Sequence, residues 1–288
     1  MDGILLIDKR KGETSTGTMN RIKRILRPKK IGHAGALDPF ATGLLIILIN
    51  QGTKLFKLIM SKDKVYHATI LLGVETDTLD PDGNVVKEME VPDLTEDEIK
   101  EKLKEFVGTI EQIPPSFSAI KRKGVRAYRL ARKGIKLELE KRKVHIYEIK
   151  LISWKSPRIK IEVKCSAGTY IRSLARDIAY SLGTCGHLEY LRRISCGSFH
   201  VRDAIIIEEN LEKKDLEKKI IPLVDALSDL PTIYVDERMA WRLRNGVQPK
   251  IRNKEIKGGY IKFVKEKELV AIAYMDQEGR VRLERVFN

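Results

Sequence analysis

Apolar positions in the first fifty residues follow three different patterns. Gly3 to Ile7 is a continuous apolar run, read as a short strand that Asp8-Lys9 ends. Thr14 or Ser15 then caps a helix to about Leu26, with Met19, Ile22, Ile25 and Leu26 on one face. Leu44 to Ile49 is apolar at every position, as in a strand buried on both faces. Between them, the sixteen residues from Pro28 to Gly43 show no periodicity, and loops of that length are uncommon in compact domains unless function uses them.

Farther along, a helical stretch runs from about Thr53 to Met60. The strand Val65 to Leu72 then places Tyr66, Ala68, Ile70 and Leu72 on one face. Pro81-Asp-Gly83 signals a turn, and Thr95 opens a helix to about Phe106. Val144 to Trp154 and Ile159 to Cys165 alternate as neighbouring antiparallel strands joined at Ser156-Pro157. A helix beginning at Thr169 carries Ile171, Leu174, Ala175, Ile178, Ala179 and Leu182 as one stripe and stops at Gly183. Leu188 to Ile194 reads as a short helix or turn, Ser195 to Val201 as a strand, and 205 to 230 as helical or linking. From Thr232 the pattern changes to short strands around one helix near Glu237 to Asn245. The expectation is an α+β chain: a mixed, mainly antiparallel central sheet with flanking helices over 1–230, then a small β-rich module over 231–288.

Charge narrows the range of partners. Among 288 residues, 55 Lys and Arg face 40 Asp and Glu, a formal charge of +15, which favours a polyanion. No apolar run reaches the roughly 18 residues a membrane span needs, and no signal peptide is apparent, so nucleic acid is a better expectation than a membrane and the location expected is cytoplasmic. Lys121 to Lys143 carries eleven basic residues against Glu138 and Glu140 and includes a candidate short helix near Val125 to Arg132. Such a segment suits a flap that meets phosphates. Arg21, Lys23, Arg24, Arg27, Lys29 and Lys30 form a second basic group ahead of residue 38, readable as a solvated helix face or as phosphate contacts. Cys165, Cys185 and Cys196 lack CxxC spacing, and the five histidines form no metal-ligand pair at helical spacing, so neither a zinc site nor a disulfide framework is expected.

Candidate chemistry centres on Asp38. Gly32, Gly35 and Gly43 give the segment around it conformational freedom, and Pro39 pushes Asp38 into an extended or turn conformation. For a lone Asp-Pro, a structural Asx-turn is the better reading. The longer stretch Gly32-His-Ala-Gly-Ala-Leu-Asp-Pro-Phe-Ala-Thr-Gly43 resembles the signature of the TruB family of tRNA pseudouridine synthases, which isomerise uridine 55 in the T loop. Blocks in the same order extend the resemblance from about residue 2 to about 200: Asp8-Lys9 with Gly12, Lys64-Val-Tyr66, Thr76-Asp77-Thr78 with Asp80 and Gly83, Gln112-Ile-Pro114, Ser118-Ala119-Ile-Lys121 and Gly168-Thr-Tyr-Ile-Arg172. Ala34 stands where many relatives carry Thr or Ser, and Arg10 where many carry Pro.

That resemblance implies roles. Asp38 would be the reacting carboxylate, as nucleophile or base; Tyr66 would stack on the uracil; Arg172 would hold the carboxylate ionised. Sequence physics alone says only that a cation in the first turn of a helix opposes the dipole unless an anion compensates. His33, Lys9, Asp77, Tyr170 and Leu191 would contact RNA or line the site; a structural His33 is the lesser alternative, a surface Lys9 an equal one, and a core Leu191 the simpler account. Lys121, Arg122, Lys123 and Arg126 would belong to a thumb-like insertion at about 114–143 that closes over the RNA. The C-terminal module resembles a β-barrel-like PUA RNA-binding module. The implied partner is the tRNA T stem-loop, with no protein partner, cofactor or metal required. Two rivals are the same chemistry guided to ribosomal RNA by a ribonucleoprotein, and a non-catalytic RNA-binding protein.

Overall fold

The computed structural model describes residues 1–115, 121–122, 125–126, 139–208, 210–249 and 258–288. In chain order its elements are β1 (Gly3–Lys9), α1 (Ser15–Leu26), β2 (Ile31–Ala34), β3 (Thr42–Ile49), α2 (Phe56–Met60), β4 (Lys64–Leu72), the hairpin β5 (Val74–Thr76) and β6 (Val85–Glu88), α3 (Glu96–Lys104) and β7 (Gly108–Gln112). Next come the two-residue partners β8 (Lys121–Arg122) and β9 (Val125–Arg126), then β10 (Arg142–Lys155), β11 (Arg158–Cys165), α4 (Ile171–Ser181), β12 (Gly186–Cys196), β13 (Phe199–His200) and α5 (Lys213–Glu217). The C-terminal group is β14 (Thr232–Tyr234), α6 (Glu237–Arg244), β15 (Gly259–Lys265), β16 (Glu268–Met275) and β17 (Val281–Val286).

Among the described residues, a nine-stranded mixed sheet runs β1-β3-β12-β4-β11-β10-β7, with β2 also on β3 and β13 on β12. All its pairings are antiparallel except β3 with β12, which meet in parallel only at Thr42–Arg192 and Gly43–Arg193. That short seam joins the two halves of the sheet. Gly43 is obligatory there, with φ +96° and a position at which a Cβ would lie 2.4 Å from the Arg193 carbonyl oxygen. Gly35 also takes a positive φ, whereas Gly32 does not. Helix α4 lays its apolar stripe over Tyr66, Ala68 and Ile70 of β4 and Ile159, Ile161 and Val163 of β11. The apolar β3 is covered on both faces, by Ile22 and Leu26 of α1 on one and by Leu55, Ile59 and Leu223 on the other.

A separate four-stranded sheet, β14-β15-β16-β17, packs one face on Ala240 and Leu243 of α6. Leu269, Ile272 and Phe287 join the core beneath β3. The 4%-exposed Lys262 donates to the carbonyls of Val224 (3.0 Å) and Leu227 (2.8 Å), fixing this sheet to the segment before it.

Three local expectations are corrected. Leu188 to Ile194 is part of strand β12, not a helix or turn; register shifts at Leu188/Tyr190 and Arg193/Ser195 break the alternation that would have revealed it. The stretch from Pro28 to Gly43 contains β2, too short for a period-two signal and holding Gly32 and His33 among apolar neighbours. Val125–Arg126 is paired strand rather than the start of a helix, and 127–132 lies outside the described residues.

Candidate active site

Asp38 sits on the loop between β2 and β3, and its neighbours are bonded on both sides. The buried Ser15 hydroxyl accepts from the Leu37 N–H at 2.8 Å and donates to the Leu37 carbonyl at 3.0 Å. On the other side, the Pro39 carbonyl accepts from the Gly12 N–H (2.8 Å) and from the Lys9 ammonium (3.3 Å). Lys9 also donates to the carbonyls of Arg10 (3.0 Å) and Glu13 (2.7 Å), and burial pushes its pKa down. At 1% exposure Lys9 is neither a surface lysine nor placed to touch phosphate. It ties the end of β1 to the Asp38 loop.

Arg172, in the first turn of α4, faces that loop. Its Nε lies 3.0 Å from Asp38 Oδ2 and one Nη 3.4 Å from Oδ1; the other Nη donates to Asp80 Oδ2 and the Thr78 carbonyl, both at 2.9 Å. One planar guanidinium thus bridges two carboxylates, a geometry that suits Arg and that Lys cannot reproduce. The second carboxylate, Asp80, belongs with Asp77 to the block whose resemblance places it near the substrate loop, and its pairing with Arg172 is what the sequence does not show. It is 5% exposed and accepts from the Thr78 hydroxyl (2.6 Å) and the Asp82 N–H (3.1 Å). Leu79 at φ +61° makes the tight turn that aims both Thr78 and Asp80 at Arg172.

These groups form one end of a cavity of about 640 Å³, whose walls include Leu37, Tyr66, Tyr170, Leu191 and Arg193. Burial pushes the Asp38 carboxyl above its ordinary range; Arg172 pulls it back down and Asp80 pushes it up again. With 39% of its side chain exposed, Asp38 is still accessible from the cavity.

Tyr66 is 9% exposed, and burial pushes its phenol up to about 12 against the opposing Arg193 charge. Arg193 is the residue for which sequence reasoning gives no site role. It is 2% exposed, its charge opposes the upward push on the Tyr66 phenol, and it donates to the carbonyls of Leu44 (2.6 Å) and Gly35 (2.8 Å). It thereby connects β3 and the Asp38 loop. The signal available in sequence was a pair of arginines, Arg192 and Arg193, between the apolar Leu191 and Ile194.

The other expected residues divide. Tyr170 lines the cavity, its backbone held by the buried Gln112 amide through bonds of 3.1 and 3.2 Å. Leu191 is a 6%-exposed wall residue. His33 lies on β2, outside the lining, with a buried Nδ1 that has no hydrogen-bond partner among the described residues; burial, then Arg193, pushes its pKa down. Asp77 is exposed and accepts from the Asn84 N–H at 3.0 Å, closing the turn at 81–83. Lys121, Arg122 and Arg126 lie on the short β8–β9 pair, and Lys123 lies outside the described residues. No group of three or more His, Cys, Asp or Glu suited to a metal occurs among the described residues.

Residues 23–171 match the N-terminal domain of the TruB family pseudouridylate synthases. The tRNA pseudouridine synthase B of Syntrophobacter fumaroxidans is 42% identical over 248 residues, covering 85% of this chain and 81% of that protein. That of Aquifex aeolicus is 41% identical over 275 residues, covering 94% and 95%. Among solved structures, a Cbf5-Nop10-Gar1 complex matches with a TM-score of 0.76 at 26% identity, covering 99% of this chain and 85% of the matched one. The match spans more than half of the chain and the identity to these relatives extends over at least four-fifths of their length: the chain belongs to the TruB family of pseudouridylate synthases.

Proposed function

We propose that this protein isomerises uridine 55 in the T loop of tRNA to pseudouridine, with Asp38 as the essential carboxylate. The observation that carries the reading is the Asp38–Arg172–Asp80 array opening into a cavity walled by Tyr66 and Leu191. The names of the relatives support a tRNA substrate. The reaction breaks the N1–C1′ bond, turns the base, forms a C5–C1′ bond and releases the C5 proton, so no redox equivalent or hydrolysis is involved. Its requirements are one carboxylate near the sugar, a cation that keeps it ionised against burial, and walls that retain the detached uracil.

Arg172 supplies the charge and Tyr66 the stacking surface for a base extruded from its loop, and a cavity of about 640 Å³ lies within the roughly 300–1,000 Å³ usual for small-molecule sites. Residues 1–230 form the catalytic domain, with the basic insertion at about 114–143 closing over the T stem-loop. Residues 231–288 serve as a PUA-like RNA-binding module. The protein acts in the cytoplasm and needs neither a protein partner nor a cofactor. No helix among the described residues is long and apolar enough to cross a membrane, in keeping with that location. The test is to incubate purified protein with an unmodified tRNA transcript and map pseudouridine by nucleotide. Modification at position 55 alone is expected; modification elsewhere, or only with an added guide RNA and partner proteins, would overturn the assignment.

A further inference from the structure

A second cavity, of about 660 Å³, lies where the end of α1 meets the start of β2. Its rim carries Arg27, Lys29, Lys30, Lys54 and Lys213 against two acids, Asp2 and Glu217. Both acids are engaged: Asp2 accepts from the Gln51 N–H at 3.2 Å, and Glu217 lies 3.5 Å from Lys213. Lys54 is committed to the Gln51 side chain (2.8 Å) and the Val286 carbonyl (2.6 Å). Arg27, Lys29 and Lys30 are exposed and have no ion pair among the described residues. From Thr14 to Leu37 the chain contains no acidic residue, and Lys23 and Arg24, also exposed, extend the positive surface back along α1.

The segment that presents these cations is held firmly. Arg27 ends α1 with φ +49°, donating its N–H to the Lys23 carbonyl at 2.9 Å. Asn50, at φ +50°, bonds Lys30 through both backbone groups: its N–H donates to the Lys30 carbonyl (2.7 Å) and its Oδ1 accepts from the Lys30 N–H (3.1 Å). The Asn50 amide also donates to the Met1 carbonyl at 2.7 Å. Two non-glycine residues in the left-handed region are a local cost, retained because several bonds fix them. From Lys30, strand β2 leads directly toward Asp38, eight residues away and so at most about 29 Å.

We infer that this cavity and the adjoining face of α1 form a phosphate-binding subsite for the RNA backbone, one that holds the strand flanking the nucleotide delivered to Asp38. The inference rests on the reading of the protein as a tRNA-modifying enzyme. An RNA backbone fits better than a small anion because the uncommitted cations are exposed and continue along the helix as a track instead of converging in a closed pocket. The C-terminal end of α1 favours nearby cations through its dipole, and this would be their whole purpose if no RNA docks here.

The experiment compares full-length wild type with Lys29→Ala/Lys30→Ala and the charge-preserving Lys29→Arg/Lys30→Arg, measuring Kd for an unmodified tRNA transcript across a salt series, kcat at saturating tRNA, and Tm with and without inorganic phosphate. The alanine pair is expected to weaken binding about tenfold near 0.1 M salt and to flatten the log–log salt slope by roughly two units, about one per lost phosphate contact. Its kcat stays unchanged, and the arginine pair binds like wild type. Unchanged Kd and slope would overturn the inference, as would a fall in Tm alone, which would leave only the helix-end role. Phosphate raising the Tm of wild type but not of the alanine pair, with RNA binding unaltered, would overturn it in favour of a small-anion site. Binding requires no turnover: wild type whose tRNA affinity depends on Lys29 and Lys30 but which forms no pseudouridine would sink the proposed activity and leave the subsite standing.

Discussion

Replacing Arg172 by methionine tests whether its charge, and not only its position, keeps Asp38 ready for reaction. The guanidinium contacts Asp38 at 3.0 and 3.4 Å and Asp80 at 2.9 Å; without it, two carboxylates are left near one another with no cation between them. A hydrogen bond to a charged group is worth roughly 1.5–3 kcal/mol, and the 39% exposure of the Asp38 side chain places this one at the low end through solvent screening. About 1.5 kcal/mol corresponds to about one pKa unit. Burial already raises the Asp38 pKa and Arg172 is the largest opposing influence, so its removal moves the pKa further up. Turnover by an ionised Asp38 is lost as pH falls through that pKa, so the acid limb of kcat moves upward by about one unit. The assay is single-turnover isomerisation of a tRNA transcript from pH 5.5 to 9, comparing wild type, Arg172→Met and Arg172→Lys. The deficit of Arg172→Met should shrink as pH rises, while Arg172→Lys, which keeps a charge but cannot bridge both carboxylates, should show a nearly pH-independent loss. A deficit in Arg172→Met that is the same at every pH would refute the charge argument and leave orientation alone.

Other consequences follow from neighbouring groups. Lys9→Met leaves three carbonyls without their ammonium donor and should lower unfolding stability by about 2–4 kcal/mol in a urea titration; a neutral result would mean that the Asp38 loop is held without it. Arg193→Lys cannot reproduce the paired bonds to Leu44 and Gly35, and misplacement of the Asp38 loop should cost about 100-fold in kcat with KM within a few-fold. Because the Tyr66 phenol is held up at about 12, kcat should show no alkaline limb below pH 10; a limb near pH 8 that vanishes in Tyr66→Phe would contradict this. Neutralising Lys121, Arg122 and Lys123 should weaken tRNA binding and flatten its salt dependence by roughly one unit per lost phosphate contact, and an unchanged slope would remove the insertion from the interface.

Much of the fold was legible because its signals were local. The all-apolar run at 44–49, the helix start at Thr95, and the stripe along α4 each depend on a few adjacent side chains, and each appears where expected. Strand β12 was hidden because its bulges break the two-residue period, and β2 because four residues cannot establish one. In the site, the Asp38 motif was visible as a stretch of sequence, whereas its supports were not. Ser15 looked like a helix cap, Lys9 like surface, and Arg193 like one of two consecutive arginines. Their roles come from contacts 22, 30 and 158 positions away along the chain, which no local pattern encodes. Asp80 was grouped with Asp77 by sequence; the Leu79 turn separates them, burying one against Arg172 and leaving the other at the surface.

The most direct test of the central claim is tritium release from a tRNA transcript labelled at uridine C5, using purified wild type and Asp38→Asn with no added cofactor. Release by wild type, with none from Asp38→Asn although that variant binds tRNA within a few-fold of wild type, is the predicted result. Equal release by both proteins would contradict the assignment of Asp38, and no release by either despite tight tRNA binding would contradict the stand-alone isomerase.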